Sequence, residues 1–414
     1  MTPGATGLPC RSCSAPLTRT FVDLGETPLA NAYLDAGQLS APEPRYPLHA
    51  RVCDRCLLVQ VDQVVPAEVL FSDYAYFSSY SDSWVAHARR FAEAVRPRFG
   101  IDGHSQVVEV ASNDGYLLRH FAEMGVPVLG VEPAENVAAV ARAAGVPTEA
   151  RFFGAAFADE LRGRGVRADL LVANNVVAHV PDLNDFVAGL RLALAPEGVL
   201  SVEFPHLLNL IEKAQFDTIY HEHFCYFSLR SLEEVFARHG LRVFDVEELP
   251  THGGSLRVLA CLGGASHAET AGVAALRRKE AAAGLLDLAT YAGFGDKVDA
   301  ARRSFRAFLD ECRTARRTVV AYGATAKGNT LLNSTGVGVD DIAYVVDRNP
   351  HKQGRYLPGS RLPIRAPEEI KHTRPEVILL LAWNLVEEVA EQLSFTAEWG
   401  ARMVVPIPTV RTVP

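Results

Sequence analysis

Gln106-Val-Val-Glu-Val-Ala-Ser-Asn-Asp-Gly115 is the stretch whose reading decides the fold. A short apolar run, the length of one buried strand, gives way to a polar turn. Leu117, Leu118 and Phe121 then follow at helical spacing. The second strand, Val126-Pro-Val-Leu-Gly-Val131, ends at Glu132. Its helix has Pro133 near the start, apolar Val137, Val140 and Ala141, and Gly145 at the end. Further out, Ala168-Asp-Leu-Leu-Val-Ala173 and Gly198-Val-Leu-Ser-Val-Glu203 read as buried strands with a helix over 182–194 between them. Strands alternating with helices at this interval specify an α/β chain, a parallel sheet with helices on both faces. After a turn at His252-Gly-Gly254 and an Ala-rich helical stretch over about 269–315, the rhythm returns. Thr318-Val-Val-Ala-Tyr322, Ile342-Ala-Tyr-Val-Val346 and Val377-Ile-Leu-Leu-Leu381 predict a second, Rossmann-like α/β domain. Residues 1–70, with Pro28, Pro42, Pro44 and Pro47, show little periodic structure. The expected domains are therefore 1–70, 71–248 and 249–414.

Composition narrows the class. The chain has 414 residues, 48% hydrophobic and 22% charged, which is ordinary globular material with room for more than one core. A net charge of −8 argues against a broad polyanion-binding face, so no nucleic-acid partner is expected. The longest apolar run, Val377 to Trp383, is far short of the roughly 20 residues needed to span a bilayer. The first residues carry neither a basic nor an apolar signal segment, so a cytoplasmic enzyme without a membrane partner is expected.

Four of the seven cysteines are paired by spacing: Cys10-Arg-Ser-Cys13 and Cys53-Asp-Arg-Cys56. Four thiolates close a tetrahedron around zinc and leave no ligand position open, so the expected zinc is structural. The cysteines lack the strand-to-helix context of a redox pair.

The loop Glu109 to Gly115 stands where a glycine-rich cofactor loop stands, but Ala111 and Asn113 replace glycines and only Gly115 remains. Asn tolerates a left-handed backbone, so the turn is feasible. Glu132 is placed to accept both ribose hydroxyls of an adenosine. Pro133 follows it, and Asn174 and Asn175 follow the third strand at the same carboxyl edge. NAD and S-adenosyl-L-methionine both use this layout. With one glycine left, close approach to a pyrophosphate is difficult, which favours S-adenosyl-L-methionine.

After the last strand, Asp217-Thr-Ile-Tyr-His-Glu-His-Phe224 packs Tyr220, His221, Glu222 and His223 together, and His179 falls after another strand. Such groups suit proton transfer near neutral pH. The two histidines are two apart, so the zincin motif is excluded. Tyr74, Tyr76 and Tyr80 lie in a polar-aromatic run that either closes over the pocket or packs with wet hydroxyls. In the C-terminal domain, Gly323-Ala-Thr-Ala-Lys-Gly-Asn-Thr330 has the glycine spacing of a P-loop, but Asn329 stands where its lysine is required, which excludes a kinase or ATPase. Lys327 is expected on a phosphate, with Asn329, Asp347 and Lys352 completing a nucleotide site.

Taken in order, these segments resemble the sugar C-methyltransferases that act on nucleotide-linked deoxysugars, the group that includes the C-3-methyltransferase of D-tetronitrose biosynthesis. The resemblance runs through Leu24-Gly-Glu-Thr-Pro-Leu-Ala-Asn31, Tyr76-Phe-Ser-Ser79, Val108 to Gly115, Tyr220-His-Glu-His223, His252-Gly-Gly-Ser255, Tyr322 to Asn329 and Lys352-Gln-Gly354. It implies a zinc-binding N-terminal module, a central S-adenosyl-L-methionine domain and a C-terminal Rossmann-like domain that helps to hold a nucleotide-sugar. It further implies that Tyr220, Glu222 and His223 are catalytic, joined by His179 and by Tyr76, with Tyr74 the alternative to Tyr76. The expected substrate is a dTDP-linked 4-keto-deoxysugar in deoxysugar or antibiotic biosynthesis. His223, positioned by Glu222, would take the proton next to the ketone, while Tyr220 and His179 hold the enolate oxygen. Two other classes fit the two nucleotide-type folds: an NAD-dependent nucleotide-sugar oxidoreductase and a non-catalytic nucleotide-binding protein. The oligomeric state stays open, a monomer being one reading.

Overall fold

Val107–Val110 is buried at every position and Ala168–Asn174 at nearly every one, as strands in the middle of a helix-covered sheet must be. They belong to a computed structural model that describes residues 8–62, 65–66 and 77–413. In chain order the strands are β1 (Arg19–Thr27), β2 (Tyr46–Val52), β3 (Val59–Val61), β4 (Val107–Val110), β5 (Val128–Val131), β6 (Thr148–Glu149), β7 (Ala168–Asn174) and β8 (Leu194–Pro205). Next come β9 (Cys225–Tyr226), β10 (Leu241–Leu249) and β11 (Ser255–Leu262). The last part holds β12 (Val319–Tyr322), β13 (Val345–Val346), β14 (Ile364–Arg365), β15 (Val377–Leu380), β16 (Arg402–Val405) and β17 (Arg411–Thr412). Among the described residues they form three sheets, ordered β1-β2-β3-β9, β10-β11-β8-β7-β4-β5-β6 and β14-β13-β12-β15-β16-β17.

The middle sheet is parallel from β6 to β8, and β10 and β11 add an antiparallel edge. Its strand order reverses between β4 and β7, which opens a crevice at the carboxyl ends of those two strands. The third sheet repeats the plan, reversing between β12 and β15. The connecting helices start where the sequence supplies caps. Asp182 accepts the Asp185 N–H (3.0 Å) ahead of helix Leu183–Ala193, and Thr325 accepts the Gly328 N–H (3.1 Å) ahead of helix Ala326–Ser334.

Two expectations need correction. The first 70 residues contain a real sheet: β1 and β2 pair antiparallel over most of their length, and β3 pairs with β9 just after His223. Its alternation is broken by register shifts between Thr20 and Val22 and between Asp23 and Glu26, which hides the period of two. The middle sheet also crosses the expected boundary at 248/249, because β11 inserts between β10 and β8. The His252-Gly-Gly254 turn is thus a hairpin within that sheet.

One hydrophobic core joins Phe21, Leu48 and Val59 of the N-terminal sheet to Phe216, Phe305, Val319 and Leu379. The Phe21 ring stacks on Phe294 at 4.3 Å. The N-terminal module and the C-terminal domain therefore bury apolar surface against each other. Among the described residues no helix is long and apolar enough to cross a membrane.

Candidate active site and zinc centre

The two cysteine knuckles have the same turn. Ser14 N–H donates to the Cys10 carbonyl (2.9 Å) and Leu57 N–H to the Cys53 carbonyl (3.0 Å); Cys10 N–H and Cys53 N–H donate onward to Ala15 and Leu58 (2.8 and 3.0 Å). Ser14 and Leu57 both take positive φ, 60° and 59°. The four Sγ atoms lie within 4.8 Å of one another, with Cys10–Cys56 at 3.6 Å and Cys13–Cys53 at 3.5 Å. A thiolate tetrahedron at the usual zinc–sulfur length of about 2.3 Å has edges of about 3.8 Å, so the donor set fits the ion. Gln60 donates to the Cys10 sulfur at 3.3 Å and supports it from behind.

At the end of β4 the backbone does what a glycine-rich loop does. Ala111, Asn113 and Gly115 have φ of 52°, 50° and 78°. Glu132, after β5, accepts the Asn113 N–H with Oε2 and the Ala134 N–H with Oε1, each at 3.0 Å. Each oxygen keeps one lone pair for a further donor. Glu109 Oε2, Asp114 Oδ1, Asn174 Oδ1 and Asn175 Nδ2 are buried with no hydrogen-bond partner among the described residues. Buried polar atoms are normally paired, so this edge is built for a polar ligand. Burial, reinforced by Asp114 and Glu132, pushes the Glu109 carboxyl well above the usual range. Ser78 N–H donates to Asn113 Oδ1 (2.8 Å) and Ser79 Oγ to Asp114 Oδ2 (2.5 Å), so the Phe77-Ser-Ser segment lies over the loop. Tyr80 is exposed against Phe77, while Tyr74 and Tyr76 fall outside the described residues. Pro133 follows Glu132 directly, ahead of the helix Glu135–Ala143.

The Tyr220–His223 segment splits in three directions. Tyr220 Oη lies 2.7 Å from His223 Nε2, and His223 Nδ1 lies 2.8 Å from the Thr218 carbonyl. A carbonyl only accepts, so Nδ1 carries the hydrogen and Nε2 presents its lone pair to the Tyr220 hydroxyl. The His179 ring stands edge-on to His223 at 4.6 Å. Burial, then His179, holds His223 well below its ordinary range, so it is neutral with a free-base ring. Burial also lowers His179 to about 4. His221 turns away, its Nε2 3.1 Å from the Pro47 carbonyl. Glu222 does not hold His223, contrary to expectation. Asn31 Nδ2 donates to both its oxygens (2.8 and 3.0 Å), and burial raises it to about 7. Thr218 takes the orienting role because its carbonyl accepts the Nδ1 hydrogen.

Expectation and structure also part in the C-terminal domain. Asp347 accepts the Ala324 N–H with Oδ2 (2.9 Å) and the Asn349 N–H with Oδ1 (2.8 Å), while Lys352 donates to the Ala324 carbonyl (2.9 Å). Asn329 Oδ1 accepts from Asn333 (3.2 Å) inside its helix. These groups brace the loop instead of standing open to a nucleotide. Lys327 differs: its buried Nζ has no hydrogen-bond partner among the described residues and sits 4.7 Å from the Trp383 ring. Trp383 Nε1 donates to Asp217 Oδ2 at 2.6 Å; burial raises Asp217 to about 6, against the opposing pull of Lys327. Trp383 also lines a cavity of about 250 Å³ with Lys213, Gln215, Asn384, Ile407 and Arg411 among its walls.

Asn31, Thr218, Asp217, His252 and Trp383 were missed as site residues. Asn31 closes the Leu24 to Asn31 segment and Trp383 closes an apolar run, and neither pattern signals chemistry. Asp217 and His252 stood in quoted motifs, yet only the fold shows that Lys327 lies near enough to act on both charges.

Residues 10–71, 84–246 and 250–408 match family models described as a zinc binding domain, a methyltransferase domain and a C-methyltransferase C-terminal domain. Over 404 residues, 98% of this chain and 96% of the relative, the sequence is 38% identical to C-methyltransferase NovU of Streptomyces niveus. The chain belongs to this C-methyltransferase family. A ubiquinone biosynthesis O-methyltransferase of Azorhizobium caulinodans is 30% identical over 125 residues, 29% of this chain and 47% of that protein. The magnesium protoporphyrin IX methyltransferase of Synechocystis PCC 6803, solved with bound SAM, is 14% identical, with a TM-score of 0.32 over 43% of this chain and 81% of that one. This C-methyltransferase is S-adenosyl-L-methionine dependent and carries its zinc-binding cysteines in the N-terminal module.

Proposed function

We propose that this C-methyltransferase methylates the carbon next to the ketone of a dTDP-linked 4-keto-deoxysugar, C3 in preference to C5, in deoxysugar or antibiotic biosynthesis. The reading rests above all on the Tyr220–His223 pair, a buried neutral imidazole whose tautomer is set by a backbone carbonyl and whose lone pair meets a hydroxyl. Carbon is a poor nucleophile unless a neighbouring carbonyl acidifies its proton. The proton leaves C3 and ends on His223 Nε2, and the electron pair moves into the enolate. Tyr220 then holds the developing oxygen charge, with His179 assigned beside it, where a fixed donor in a dry site gives the largest return. Glu222, raised to about 7, is a group of the segment able to exchange a proton near neutrality.

S-adenosyl-L-methionine supplies the electrophilic methyl group. Glu109, Ala111, Asn113, Gly115, Glu132, Pro133, Asn174 and Asn175 are the residues proposed to hold it. Tyr76, or Tyr74, is assigned to the sugar side with Tyr80. The nucleotide is proposed for the Trp383 cavity. Its aromatic wall suits a base, Gln215 and Asn384 can read polar edges, and Lys213, Arg411 and the nearby Lys327 suit a diphosphate. Among the described residues no carboxylate lines it.

The test is a product mass spectrum after incubation with S-adenosyl-L-methionine and a panel of dTDP-4-keto-deoxysugars. A gain of one CH₂ with matching S-adenosylhomocysteine is expected, and His223→Asn should lower turnover by roughly 10²-fold or more. Exchange of the sugar's C3 hydrogen with D₂O should disappear in the same variant. Normal exchange in His223→Asn would move the base elsewhere, and no transfer across the panel would remove the substrate assignment.

A further inference from the structure

Glu222 is reached from the N-terminal module by a side chain 191 residues away in sequence. The Asn31 amide nitrogen reaches both carboxylate oxygens, at 2.8 and 3.0 Å, and Asn31 Oδ1 accepts from Tyr33 Oη at 3.2 Å. The same tyrosine hydroxyl lies 2.8 Å from the Ala324 carbonyl, which also takes the Lys352 ammonium at 2.9 Å. The Lys352 ammonium sits 5.4 Å from the Tyr33 ring centroid and 3.6 Å from Asp347. The chain of contacts therefore runs Glu222, Asn31, Tyr33, Ala324, Lys352, Asp347, and it passes through all three parts of the molecule.

From this geometry we infer that Asn31 is a positioning residue for the reaction, holding the Glu222 carboxyl in place and favouring its ionised form. The inference rests on the proposed catalytic reading of Glu222. A carboxylate held by an amide donor is favoured over the protonated acid, while burial opposes it. Burial and Asn31 are the two influences on Glu222 itself, and they act in opposite directions. The titratable groups facing this cluster are Tyr33, with Lys352 and Asp347 behind it, and the His179 ring, which bonds to the Glu222 backbone. Taking away the Asn31 amide leaves burial unopposed, so the Glu222 titration must move to higher pH.

The decisive experiment uses the zinc-loaded full chain without substrate, so that it stands apart from the sugar assignment. The carboxylic-acid C=O band of Glu222 is followed by infrared difference spectroscopy across pH 5 to 9 and identified by its loss in Glu222→Gln. In Asn31→Ala the midpoint is expected to rise by about one pH unit or more. The isosteric Asn31→Asp keeps the packing and puts a second carboxyl beside the first, so it is expected to rise at least as far. The limb of the kcat–pH profile that Glu222→Gln abolishes should move with it, and KM should stay near its original value. Midpoints unchanged in both variants would overturn the inference whatever the substrate proves to be. A fall in activity with an unmoved midpoint would do the same, since that is what a purely structural contact would give.

Discussion

Ala111 occupies a backbone position that alanine dislikes. Its φ of 52° is left-handed, as are those of Asn113 and Gly115, so the loop keeps the alternating pattern of a glycine-rich turn with one glycine in place. A left-handed alanine costs roughly 1–2 kcal/mol. A glycine there would relieve that strain but lose roughly 0.5–1 kcal/mol through the freer unfolded chain. The first effect is the larger, so Ala111→Gly should stabilise the protein by about 0.5–1 kcal/mol, read as a small rise in melting temperature with S-adenosyl-L-methionine affinity kept. Glu132 is tied to the same turn, and Asp347 repeats its role: each follows a second strand, reaches back to the first loop and bonds the N–H two residues ahead. One carboxylate thus closes the cofactor-type loop in both Rossmann-like domains.

At the scale of elements, the zinc module and the reaction segment share a sheet. β9 begins two residues after His223 and pairs with β3, which follows the second cysteine knuckle. The knuckles are short turns joined to each other through their four sulfurs, so the metal supplies folding energy by tying them together. Cys53→Ser is therefore expected to lose bound zinc, measured by elemental analysis, and to lower the melting temperature. Turnover should fall with it, because loosening β3 releases β9 and the Thr218–His223 geometry beside it. Full turnover in a zinc-free Cys53→Ser protein would show that the module acts independently of the segment it pairs with.

The molecule as a whole places its cations across domain lines. Lys327 comes from the C-terminal domain, yet its charge bears on Asp217, His223 and His252, all from the middle of the chain. Trp383 carries that arrangement to the cavity, where Arg411 stands on the last strand of the third sheet. If the cavity takes the nucleotide, Arg411→Ala removes a contact far from the reacting carbon. It should raise KM about tenfold, the equivalent of about 1.4 kcal/mol, with kcat nearly unchanged. The effect should shrink at high salt, as an ion pair with a diphosphate is screened. A fall in kcat at constant KM would place Arg411 outside the nucleotide site.

What the sequence by itself determined is local. Two runs of alternating strands and helices, the Glu109 to Gly115 turn with Glu132 after the next strand, and the two cysteine pairs are written in spacing over a few residues, because strand period, turn chemistry and ligand geometry act at that range. The closeness of Tyr220 and His223 was legible for the same reason. The tertiary structure alone decided which partner each group meets. Asn31 finds Glu222, Trp383 finds Asp217, and Thr218 rather than Glu222 orients His223. It also decided that β9 and β11 join sheets begun elsewhere in the chain. Such pairings connect residues up to about 190 positions apart and leave no periodic trace. They arise only when separate elements are packed into one core, and that packing sets the burial which keeps His223 neutral and raises Glu222 to about 7.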